Sequence, residues 1–213
     1  MEAVRADFVD YVEGLAALLG ADPSLLLAVM EGTPLSVRHP PLHFTCIVGS
    51  VAAVRILLDR GADINERSVG GMTAVMWACG LGWPAVVSLL LERGADPTQL
   101  GPYWMTALTW AASAPVSSHR GSDHVAVVRL LLEDGRVPVD AKDSYGCTAL
   151  WHACSHGHVV MARVLLVEGH ADQTIANMLN ITPLDEAERP SSPEVVQKPA
   201  LVRLLKVRWR SAR

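Results

Sequence analysis

Apolar and polar positions in this chain come in recurring blocks. Four runs carry apolar residues at helical spacing: Val54-Arg55-Ile56-Leu57-Leu58, Val87-Ser88-Leu89-Leu90-Leu91, Val128-Arg129-Leu130-Leu131-Leu132 and Ala162-Arg163-Val164-Leu165-Leu166. Each predicts a short helix with one buried face. A glycine follows each run, at Gly61, Gly94, Gly135 and Gly169, and predicts a left-handed helix cap. Ahead of each run stands a second signature. It reads Pro40-Pro41-Leu42-His43, Thr73-Ala74-Val75-Met76, Thr106-Ala107-Leu108-Thr109, Thr148-Ala149-Leu150-Trp151 and, once more, Thr182-Pro183-Leu184-Asp185. These signatures begin at 40, 73, 106, 148 and 182, in steps of 33, 33, 42 and 34 residues.

Recurrence at such a period marks stacked structural units. The signature opens a first helix, where Pro is tolerated because its missing N–H has no helical partner to lose. Small residues follow at Ala78, Ala111, Ala112 and Ala153 and let a neighbouring unit approach closely. A tight turn such as Gly157-His158 reverses the chain into the Leu-rich second helix. The Gly-Ala-Asp stretch after it projects as a hairpin or extended loop. No unit buries its apolar face alone, so the units must stack.

The period and the Thr-Pro-Leu-His-like opening resemble the ankyrin repeat across residues 40–189. The resemblance implies an all-α ankyrin-repeat solenoid of helix-turn-helix repeats with projecting hairpin loops. The phase assigns residues 1–39 to an N-terminal helical cap or degenerate repeat, and 40–72, 73–105, 106–147 and 148–181 to repeats one to four. Residues 182–213 make a degenerate fifth repeat with a basic capping helix. The long third step places an insertion between Ala114 and His124, of composition Pro-Val-Ser-Ser-His-Arg-Gly-Ser, read as a surface insertion, with a binding loop as the alternative.

Composition narrows the setting. Half the chain is apolar and the formal net charge is −4, too small to point to nucleic acid or a membrane. The stretch Tyr11–Met30 is broken by Glu13, Asp22 and Pro23, so no membrane span is expected. Glu2, Arg5 and Asp7 open the chain without a basic-then-apolar order, so no secretory signal is expected. Cys46, Cys79, Cys147 and Cys154 are too dispersed for a disulfide framework, which suits the cytosol or nucleus. From Lys198 onward there are six basic residues and no acidic one. This helix reads as the polar face of a cap, or as a patch for an acidic partner, a nucleic-acid backbone or a lipid surface.

The resemblance implies a monomeric module that binds another protein on the concave side of the stack, as an adaptor or scaffold, with no cofactor and no catalysis. A substrate receptor for a ubiquitin-ligase-type machine is the rival reading. The repeat phase names the surface. Phe44, Trp77, Trp110, His152 and Glu186 hold the fifth position of the opening signature and should form a ladder on the first helices. The hairpin tips carry Val69, Gly70 and Met72; Pro102, Tyr103, Trp104 and Met105; Ser144, Tyr145 and Cys147; and Met178, Leu179 and Ile181. Exposed aromatic and Met side chains are the material of binding hot spots. The site is therefore expected to centre on Trp77, Tyr103, Trp104 and Trp110, with the alternative that the ladder rings pack along the wall. Trp104 stands where the turn calls for Gly, which suggests a compensating contact.

His152, Cys154, His156 and His158 invite a zinc reading, since His152 and His156 share a helical face. Against it, Cys154 holds a small packing position, His158 is a turn histidine, and no carboxylate is seen to complete the set. No metal is therefore expected, and His152 and His156 join the partner-facing set. Asp185, Glu186 and Glu188 read as a solvated acidic face. Phosphate-loop, nucleophile-elbow and His-Glu-x-x-His motifs are absent.

Overall fold

The computed structural model describes residues 40–114, 123–189 and 198–211. The expected N-terminal cap and the insertion of repeat three lie outside the described residues, and so does Pro190-Ser191-Ser192-Pro193, whose sequence predicts the loop of the fifth repeat. The side chains of Lys198 and of the last helix beyond Lys206 lie outside them too. The described residues form ten α-helices and one 3₁₀ turn, with no strand among them. The helices are α1 (Pro41–Val48), α2 (Val51–Asp59), α3 (Ala74–Leu81), α4 (Pro84–Glu92), α5 (Ala107–Ser113), α6 (His124–Asp134), α7 (Ala149–Ser155), α8 (Val159–Val167), α9 (Pro183–Glu188) and α10 (Lys198–Ser211). Two compact units result, one holding described residues 40–78 and 85–96, the other 79–84 and those from 97 onward.

In the first unit, α1 starts behind Pro40 with Pro41 in its first turn and packs against α2. Leu42 to Ile47 are all buried, so the helix has no exposed face through its middle. The Ser50 hydroxyl caps α2 by accepting from Ala53 N–H. The end of α2 is closed by Gly61 N–H donating to Leu58 C=O and Ala62 N–H donating to Leu57 C=O, with Gly61 left-handed at φ 86°. Gly94 and Ala95 repeat this closure on α4, with φ 90° at the glycine. That pairing of bonds satisfies the last orphan carbonyls of a helix.

In the second unit the signature threonines cap the first helices. Thr106, Thr148 and Thr182 hydroxyls accept from the backbone N–H of Thr109, Trp151 and Asp185. On α9 the Asp185 carboxylate also accepts the Thr182 N–H, completing a capping box. α5 packs on α7 and α7 on α9, with Ala111, Ala112, Ala153 and Cys154 buried completely between first helices. α6 packs on α8 and α8 on α10, whose Leu201 and Leu205 are buried one turn apart.

One predicted cap moves. α8 ends with its left-handed residue at His170, φ 54°, instead of at Gly169. Gly169 is needed for a different reason. A Cβ there would sit 2.8 Å from Leu165 C=O and 3.0 Å from the Leu132 side chain. The glycine answers crowding, and the turn falls to its neighbour.

Candidate partner-binding surface

Three hairpin tips of the second unit are joined through their backbones. Ser144 N–H donates to Tyr103 C=O at 2.7 Å, and Met178 N–H donates to Tyr145 C=O at 2.9 Å. The tips differ in how they are built. Asp143 Oδ1 accepts from Tyr145 N–H at 2.9 Å and Cys147 N–H at 2.8 Å. Asn177 Oδ1 accepts likewise from Leu179 N–H and Ile181 N–H. The equivalent position in the preceding tip is Gly101, which offers no side-chain acceptor. That tip is closed by backbone bonds alone, including Gly101 N–H to Met105 C=O at 2.9 Å.

The tip at 101–105 also departs in conformation. Tyr103 and Trp104 both hold left-handed backbone, φ 57° and 58°, where the 143–147 tip uses Gly146 at φ 77°. Each such non-glycine residue costs about 1–2 kcal/mol. Neither ring recovers that by burial. Tyr103, Trp104 and Tyr145 are 60%, 63% and 59% exposed, and Met178 and Leu179 are 73% and 75% exposed. Tyr103 and Tyr145 stack with ring centroids 6.2 Å apart. The tips thus present a continuous apolar row in water, the kind of surface that marks a binding site.

The structure redraws the predicted site. Phe44 is 2% exposed and belongs to the core, because α1 is buried on all sides through its centre. Met72, Met105 and Cys147 are buried as well, and Ile181 is half-buried. They share the position just before the signature's first residue. There the chain is extended (Met105 φ −74°, ψ 132°), so consecutive side chains alternate, Trp104 outward and Met105 inward. Trp77 and Trp110 are half-buried. The Trp110 ring lies over Gly80, within 3.9 Å of where a Cβ would stand. Its buried indole N–H has no hydrogen-bond partner among the described residues. Ser144 is half-buried and Val69 stands exposed on the first unit's tip. The row in the second unit therefore centres on Tyr103, Trp104, Tyr145, Met178 and Leu179 and leaves Trp110 as wall.

The histidines sort differently from one another. His156 is exposed, and its Nδ1 lies 2.9 Å from His152 C=O. His158 bonds the Ala112 backbone. Burial, then the neighbouring His156 charge, pushes its imidazole down to about 4, so it stays neutral near pH 7. Cys154 is fully buried. His152 reaches Asp143, Nε2 to Oδ2 at 2.8 Å, and burial holds it below the ordinary imidazole range despite that carboxylate. The carboxylate expected to be missing from this region is thus supplied from nine residues upstream. The acidic face is also revised. Glu186 is buried and pairs with Arg189 at 3.3 Å, Glu188 pairs with Lys206 at 2.6 Å, and Asp185 serves the cap.

Helix pairs capped by threonine and linked through projecting tips define a helical-repeat binding protein. The family model for ankyrin repeats matches residues 1–101 and 100–177, and the chain belongs to the ankyrin-repeat family. Its architecture is the all-α ankyrin-repeat kind, and proteins built this way bind other proteins. Ankyrin repeat and KH domain-containing protein mask-1 of Caenorhabditis elegans is 33% identical over 160 residues, 75% of this chain and 6% of that protein. Ankyrin repeat domain-containing protein 29 of Danio rerio is 48% identical over 46 residues, 22% of this chain and 15% of that protein. Probable E3 ubiquitin-protein ligase XBOS33 of Oryza sativa subsp. japonica is 46% identical over 41 residues, 19% of this chain and 8% of that protein. The chain spans less than a sixth of the length of each of these relatives. No helix among the described residues is long and apolar enough to cross a membrane.

Proposed function

We propose that this chain is an adaptor or scaffold that holds a partner protein on the tips of its second unit, without catalysis of its own. The observation that carries the reading is the pair Tyr103 and Trp104, two large rings in left-handed backbone and still exposed. A sequence selected only for folding would place Gly at 104, as its neighbour tip does at Gly146. Rigid aromatic anchors on a preformed backbone lose little entropy on binding, which is how a small surface gains affinity. The four buried, dispersed cysteines suit a reducing compartment such as cytosol or nucleus.

The test is affinity capture from native lysate with the intact chain, Tyr103→Ala and Trp104→Gly. Each substitution should weaken the captured complex by about 2 kcal/mol, roughly thirtyfold, as loss of a central anchor does. Trp104→Gly keeps the turn, so its loss of partner is assignable to the ring. Capture of the same proteins at unchanged affinity by both variants would refute the tip surface.

A second reading, substrate recognition for a ubiquitin ligase, draws support from relatives named as E3 ubiquitin-protein ligases, matched over 19–33% of this chain. It predicts that captured partners gain ubiquitin in a reconstituted reaction only when the chain is present. Binding of an acidic partner through the basic α10 is the third reading, and it predicts steep loss of affinity with salt.

A further inference from the structure

Asp143, Cys147 and His152 place a carboxylate oxygen, a thiol sulfur and an imidazole nitrogen within 4.8 Å of one another. Each is held by the fold. Asp143 is pinned by two backbone N–H groups on Oδ1, which leaves Oδ2 for another partner. Cys147 closes the same tip, its C=O accepting from Asp143 N–H at 3.0 Å. Its Sγ lies 3.8 Å from the Asn177 amide nitrogen of the next tip. His152 stands on α7, one turn beyond the Thr148 cap that fixes the start of that helix. Asp143 and Cys147 are buried, and the His152 side chain keeps 16% exposure, which gives an ion an access path. A fourth group, Glu186 of α9, is near enough to act electrostatically on Cys147.

We propose that Asp143, Cys147 and His152 form a zinc site of three protein ligands with a fourth position open. A mixed sulfur, nitrogen and oxygen set suits tetrahedral Zn²⁺, and the thiol and imidazole disfavour Ca²⁺ and Mg²⁺, which take oxygen ligands. Bond lengths of about 2.0–2.3 Å put tetrahedral ligands about 3.3–3.6 Å apart. The His152–Asp143 separation of 2.8 Å must therefore widen by about half an ångström as the ion replaces the hydrogen bond between them. The thiol proton leaves to buffer on binding, and the single imidazole proton shifts from Nε2, where it bonds Asp143, to Nδ1, freeing Nε2 for the ion. The histidine run read from the sequence contributes only His152. The other two ligands come from the hairpin, so the ion would tie the Tyr145 tip to α7. This inference does not depend on the partner-binding reading.

Co²⁺ is the probe, titrated alone into the full chain under reducing conditions. The expected result is one ion per chain, with visible bands of a tetrahedral site and a near-ultraviolet thiolate-to-cobalt charge-transfer band, both displaced by Zn²⁺. Cys147→Ser should abolish the charge-transfer band, and Cys154→Ala should keep it. His152→Gln should weaken Co²⁺ at least about tenfold, the smallest loss seen even for groups that only support a ligand. Zn²⁺ should raise the melting temperature of the native chain and of Cys154→Ala, and leave that of Cys147→Ser unmoved. No charge-transfer band at saturation, or a band that survives Cys147→Ser, overturns the site. If Cys147→Ser does not fold, His152→Gln decides it, and unchanged affinity there also overturns the site.

Discussion

Two hairpin tips in the second unit hold the same place in successive repeats and are built to different ends. The 143–147 tip is anchored by a buried carboxylate that accepts two backbone amides, and it turns through Gly146. The 101–105 tip has Gly101 where the acceptor would be, and it turns through Tyr103 and Trp104. One tip uses its residues to close the loop. The other closes through its backbone alone, without a side-chain acceptor, and holds two rings in solvent. Both belong to the same row of tips, linked by Ser144 N–H to Tyr103 C=O and Met178 N–H to Tyr145 C=O.

The comparison breaks most clearly at Asp143. Asp143→Ala strands the amides of Tyr145 and Cys147 and removes the partner of His152, and should destabilise by about 2–3 kcal/mol in urea unfolding. Asn177→Ala removes the same two-amide acceptor from a more exposed tip, where water replaces it, and should cost about 1 kcal/mol. If Asn177→Ala costs as much as Asp143→Ala, burial is not what sets the two tips apart. Trp104→Gly should act in the opposite direction, raising stability by about 0.5–1 kcal/mol once glycine's greater unfolded freedom is subtracted. A loss of stability there would mean that the ring supports the fold. The smallest effect is expected at Gly101, whose φ of −86° suits any side chain. Gly101→Asp should supply the missing acceptor and stabilise by about 0.5 kcal/mol, read as a shift in the urea midpoint.

The repeat itself was legible because its signals recur at one period. Thr106, Thr148 and Thr182 cap first helices where the signature places them, and Gly61, Gly94 and Gly135 close the second helices α2, α4 and α6. Trp104 was legible for the same reason, since a residue out of phase with a glycine position is visible against its copies. What periodicity could not reveal is the depth of a position within its repeat. Phe44 and Trp110 hold equivalent places, yet one is core and the other half-buried wall. Nor could it distinguish Trp104 from Met105, adjacent residues that an extended backbone sends in opposite directions. The Asp143–His152 contact was out of reach for another reason. Nine residues separate the two, one on a loop and one on a helix, and no single helical or strand spacing brings them together.

The bonds between tips run from main chain to main chain, Tyr103 to Ser144 and Tyr145 to Met178. They are indifferent to which side chains the tips carry. A lineage of such proteins can therefore rewrite the letters displayed along the row, one substitution at a time, while the spacing between letters stays fixed by the backbone. New partners can be tried without rebuilding the frame that presents them.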